Sequence, residues 1–115
     1  MNNRAQIKLF FDTDFPLHKE GVEELIESFK VKEIPKNRPL LNENDYETTL
    51  RFINKGVVRE FYRTDKKEIN INFYTSPQFI TDFSSFMGGS KTNKNQESLS
   101  PVQILELGNN SLFRF

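Results

Sequence analysis

A run of short β-patterned segments, broken by turn signals about every eight to twelve residues, constrains this chain more than any other feature. Strand candidates read at 47–53, 57–63 and 68–74. Gly56 separates the first two, which read as a hairpin meeting at the glycine. Thr64-Asp65-Lys66-Lys67 separates the second from the third. Val57, Arg59, Phe61 and Arg63 alternate with Val58, Glu60 and Tyr62. Ile69, Ile71 and Phe73 alternate with Asn70, Asn72 and Tyr74, which implies one wet face. Residues 79–89 then read as a short helical turn closed by Gly88-Gly89. A polar stretch at 90–96 is expected to be a mobile loop, and 97–100 and 102–107 read as two last strands. Upstream, 30–34 is a short strand, 35–39 a proline-punctuated turn, Leu40-Leu41 a strand start and 42–45 another turn. Many short strands of this kind argue for a sandwich, jelly roll or barrel, mainly β with flanking helices.

One helix precedes the strands. Asp12, Thr13 and Asp14 before Pro16 suit a helix start, with a capping side chain followed by proline in the first turn. Leu17, Val22, Leu25, Ile26 and Phe29 then share one helical face, and Glu20, Glu23, Glu24 and Glu27 take the others. Residues 1–15 are expected to be a flexible lead-in, with a single domain over 16–115. After 102–107, residues 108–111 read as a turn, and Leu112-Phe113-Arg114-Phe115 starts an apolar element.

Composition narrows the function classes. Sixteen basic residues balance sixteen acidic ones, so the chain lacks the basic excess of a self-sufficient DNA binder. It has no cysteine, which excludes disulfides, thiolate metal sites and cysteine nucleophiles. His18 is the single histidine, so histidine-pair metal sites have no basis, and neither has a metal-dependent jelly-roll enzyme. No run approaches the roughly 18 apolar residues of a membrane helix, and the N-terminus lacks a signal-peptide core. The expected location is cytoplasmic. The twelve phenylalanines read as core filler for a small domain without tryptophan.

Taken in order, these segments resemble the sensor domain of the Crp–Fnr transcription regulators, the cyclic-nucleotide-binding β-roll. Residues 34–45 look like that family's turn into its first strands, with Asn37 and Asn44 where glycine is common; Asn is the next-best residue at positive φ. Phe52-Ile53-Asn54-Lys55-Gly56-Val57-Val58-Arg59 resembles its strand–Lys-Gly–strand element, and 97–107 its closing strands. No single motif is highly specific; the ordered set carries the likeness.

The resemblance implies a non-catalytic ligand sensor and places the site on the short helix. Nucleotide-binding members begin this helix with Gly-Glu-Leu, aim backbone N–H groups at the cyclic phosphate, and bring an arginine in about ten residues later. Here the triplet is Thr81-Asp82-Phe83, and the arginine position falls at Lys91 or Thr92. The candidate ligand-binding residues are therefore Asp82, Phe83, Ser84, Ser85, Lys91 and Thr92. Two readings of Asp82 stand side by side, an acceptor for a ligand hydroxyl and an N-cap of the short helix, and the cap needs only local geometry. Gly88-Gly89 reads as a left-handed helix end rather than an anion nest. Lysine keeps charge but loses the bidentate fork of arginine. Cyclic AMP binding is therefore expected to be weak or absent, leaving a cyclic nucleotide or another small anion as the implied ligand class. Family members continue into a dimerisation helix and a helix-turn-helix, both absent from this chain. DNA contact and homodimer formation are expected only of a full-length protein. The alternative expectation is a stand-alone interaction or dimerisation module with a vestigial pocket.

Overall fold

Residues 4–13 and 19–108 are described by the structure, a computed structural model. Among them eight strands form two four-stranded antiparallel sheets. One sheet has the order β1 (Lys30–Ile34), β8 (Val102–Gly108), β3 (Thr49–Lys55), β6 (Gln78–Phe79). The other has β2 (Pro39–Leu41), β7 (Asn95–Ser98), β4 (Val57–Arg63), β5 (Glu68–Thr75). The helices are α1 (Ala5–Thr13), α2 (Lys19–Ser28) and α3 (Phe83–Gly88).

Gly56 does not close a hairpin. β3 pairs with β8 and β6, whereas β4 pairs with β5 and β7, so the chain crosses from one sheet to the other at Gly56. The corner is tight. Gly56 has φ 101°, and a Cβ there would stand 2.6 Å from the Pro101 carbonyl oxygen and 2.5 Å from Val102 Cγ1. Glycine alone meets both demands. The true hairpin is β4–β5, turned by Thr64 N–H donating to Lys67 O at 2.8 Å. Asn37 and Asn44 hold the expected positive φ, at 64° and 71°.

The expected flexible lead-in is largely helix α1. Ile7 and Phe11 on its inner side are buried with Leu25, Ile26, Phe29, Phe52, Leu105 and Leu107. Arg4 fastens it by donating to the Ile26 and Phe29 carbonyls at the end of α2. A nine-residue helix of weak amphipathicity gives little periodic signal, and packing decides its state. In α2, Leu25 and Ile26 turn inward while Glu23, Glu24 and Glu27 are exposed, as the periodicity predicts. Asp12 and Thr13, expected to open a helix before Pro16, instead end α1. Asp14, Pro16, His18 and the apolar ending at 112–115 lie outside the described residues.

A second apolar cluster, Ile53, Val58, Ile80, Val102 and Ile104, fills the space beside Gly56. Phe29, Phe52 and Phe61 are core, as expected, but Phe73 and Phe83 are 60 % and 50 % exposed. The alternation in β5 keeps the expected sense at Ile69 and Asn70 and reverses beyond the extra residue Ile71. Val58 faces Tyr74 and Glu60 faces Asn72 on the inner side, leaving Phe73 outside.

Residues 90–96, expected to be a mobile loop, are tied down. Thr92 N–H donates to Asp45 O and Asn44 N–H to Thr92 O, both at 2.8 Å, and β7 already begins at Asn95.

Candidate ligand site

The site lies where α3, the start of β3 and the inner face of β4–β5–β7 meet. Asp82 precedes α3 in extended conformation (φ −76°, ψ 93°), which leaves its carboxylate beside the first-turn amides. Ser85 N–H donates to Asp82 Oδ1 at 3.4 Å, and Thr92 Oγ1 donates to Oδ2 at 2.5 Å. Lys94 Nζ stands 4.0 Å from Oδ1. The capping reading of Asp82 is thus present in the structure. At the other end Gly89 adopts φ 70° and its N–H returns to Ser85 O, the expected left-handed stop.

Of the six candidates, Asp82, Ser85 and Thr92 come together and are buried; Phe83, Ser84 and Lys91 are exposed. The Ser85 hydroxyl donates to Ser90 O at 2.5 Å and accepts from Glu47 N–H at 3.0 Å. The Lys91 ammonium lies 5.9 Å from the centre of the Tyr46 ring.

Residues that sequence reasoning missed hold this assembly. Glu47 and Arg51 form a buried ion pair four residues apart. Glu47 Oε2 also accepts from Asp82 N–H at 3.3 Å. Arg51 donates to Gln96 Oε1 at 3.4 Å, and Gln96 Nε2 donates to Glu60 Oε2 at 2.8 Å and to Ile80 O. Asn72 Nδ2 and Tyr74 OH donate to Glu60 Oε1 at 3.1 and 3.3 Å. This polar chain crosses from one sheet to the other. Burial first, and then the Glu60 charge, push the Tyr74 phenol up to about 12. The available signal was small. Glu47, Arg51 and Glu60 are charged residues inside strand-patterned runs, and a charge in such a run is read as solvated unless its partner is known.

Formal charge across the assembly is unbalanced. Glu47, Glu60 and Asp82 contribute three buried carboxylates. Arg51 is the one lysine or arginine buried among the described residues, and Lys94 is half-buried. No group of three or more metal-ligating side chains occurs among the described residues.

The chain matches no protein-family model, and no curated protein matches it. Solved structures do. A cAMP-bound PfPKA-R aligns with TM-score 0.87 and 21 % identity over 97 % of this chain and 41 % of its own. The N-terminal domain of a Streptomyces coelicolor transcriptional regulator aligns with TM-score 0.78 and 18 % identity over 98 % and 79 %. The Thermus thermophilus catabolite activator protein aligns with TM-score 0.75 and 16 % identity over 86 % and 46 %. The fold is the cyclic-nucleotide-binding β-roll of Crp-type regulators. The roll spans less than half the length of two of these proteins. No helix of its described residues is long and apolar enough to cross a membrane.

Proposed function

We propose that this roll is the ligand-sensing, regulatory domain of a bacterial Crp–Fnr-like transcription regulator, working by binding and not by catalysis, and a poor receptor for cyclic AMP. On this reading DNA contact and homodimer formation belong to a longer protein in the cytoplasm, and a small-molecule effector biases how the roll packs against the helices of that longer protein. The fold supports the sensor reading. One observation supports the weak-cAMP part: every cationic group beside the assembly already has an internal partner. Arg51 is held by Glu47, Lys94 faces Asp82, and Lys91 lies over Tyr46. A phosphate entering here meets carboxylates, and the one guanidinium buried among the described residues, Arg51, is already paired with Glu47. Like charges about 4 Å apart at an effective dielectric near 20 repel by about 4 kcal/mol.

The same internal pairing favours a second reading, a scaffold or dimerisation module whose pocket is vestigial. A thermal-shift titration with cyclic AMP, cyclic GMP and inorganic phosphate tests the first reading, since native-state binding raises Tm by mass action. The expected result is no saturable shift with cyclic AMP at micromolar concentration. A micromolar shift that disappears in Asp82→Ala would overturn the weak-cAMP reading.

A further inference from the structure

Glu60 stands apart from the other buried acids. It is 2 % exposed, and none of the ion pairs among the described residues includes it. Its three partners, Asn72, Tyr74 and Gln96, are neutral donors. The guanidinium of Arg51 reaches it only through the Gln96 amide, which turns its oxygen to Arg51 and its nitrogen to Glu60. Arg51 already neutralises Glu47. One guanidinium therefore serves two carboxylates, and Glu60 lacks a counter-ion of its own. Burying a carboxylate without a cation is costly, and a cation brought by a ligand would relieve it.

The surroundings of Glu60 say what kind of cation. Along β4 and β5 three cross-strand pairs follow one another on the inner face: Val58 with Tyr74, Glu60 with Asn72, Tyr62 with Ile69. The β4 alternation is kept across the register shift, because the extra residue, Ile71, is on β5. Glu60 is thus flanked by a tyrosine on each side, at successive positions about 6.6 Å apart. Tyr62 and Tyr74 are half-buried, while Asn72 and Ile69 are exposed, which opens this end of the face to solvent. The Glu60 carboxylate with the Tyr74 hydroxyl on it, Tyr62 two residues along the same strand and Ile69 opposite Tyr62 offer a surface for a positive charge on an apolar body. Among the described residues no group of three or more His, Cys, Asp or Glu side chains gathers here to hold a bare metal ion.

We infer that the inner face of β4–β5 takes an organic ammonium ligand, its nitrogen on Glu60 and its apolar part between Tyr62, Tyr74 and Ile69. This rests on the sensor reading and replaces its anion with a cation. The exposed Asn72 amide, which now holds Glu60 Oε1, is the group the ammonium displaces or joins.

The test is an NMR titration of the isotope-labelled chain with benzylammonium chloride. Benzyl alcohol serves as the neutral isostere, sodium benzoate as the anion, and sodium chloride as the salt control. The expected result is saturable movement of the Tyr62, Ile69, Asn72 and Tyr74 amides with the amine. Binding should weaken at least about tenfold with the alcohol and about tenfold in Glu60→Gln. If Glu60→Gln fails to fold, the amine–alcohol comparison in the unaltered chain and Tyr62→Ala decide the matter. Equal binding of alcohol and amine, or no response of these amides to the amine, overturns the inference. In that case benzoate binding at these amides would leave the sensor reading standing. Silence with every probe would overturn the inference alone, and the sensor reading would then rest on the thermal-shift titration with cyclic nucleotides and phosphate.

Discussion

Asp82 holds an amide on one carboxylate oxygen and a hydroxyl on the other, so two substitutions separate its structural roles. Thr92→Val keeps the shape and removes the hydroxyl donor, and a loss of about 1–3 kcal/mol is expected in chemical denaturation. Asp82→Ala removes the cap as well and is expected to cost at least as much. Tyr74 offers a pH handle. Its folded pKa of about 12 lies above its ordinary value of 10.0, so the fold prefers the neutral phenol. That contribution is complete below about pH 10 and is lost as pH rises towards about 12. Stability followed between pH 9 and 12 should fall, and in Tyr74→Phe this part of the fall should disappear. Single residues were unevenly legible. Asp82, Gly89, Asn37 and Asn44 could be read because local geometry dictates them. Glu47, Arg51 and Glu60 could not, because their meaning depends on partners up to 45 residues away.

Most strands announced themselves through alternation, and 30–34 and 57–63 have the expected bounds. Which strand pairs with which was not legible at Gly56, because a glycine between two strand patterns signals a reversal or a corner equally well. The backbone oxygen of Pro101, far along the chain, decides for a corner. Gly56→Ala should therefore destabilise by about 1–3 kcal/mol, from positive φ and the collision at 2.6 Å together. A melting measurement showing no change would mean that the corner can open. The wet face of β5 was misleading for a related reason. The polar side chains Asn72 and Tyr74 turn inward because Glu60 waits there for donors, and Phe73 is left outside.

At the scale of the whole roll, the apolar and polar halves of the interior do different work. The half under α1 and α2 is dry, and Ile7 in it is fully buried. Ile7→Ala should cost about 2–5 kcal/mol in denaturant unfolding, whereas a dispensable lead-in would leave stability unchanged. The half under α3 is a polar lattice that ties both sheets to residues 81–92. The weak-cAMP reading stands or falls on whether the chain's own side chains close this lattice. Native-state hydrogen exchange on the ligand-free protein probes that closure at the amides of Ser85, Phe86, Gly89 and Thr92, each with an internal acceptor. A closed lattice gives slow exchange at all four without ligand and no further slowing with cyclic AMP. Fast exchange that becomes slow only when cyclic AMP is added would contradict it.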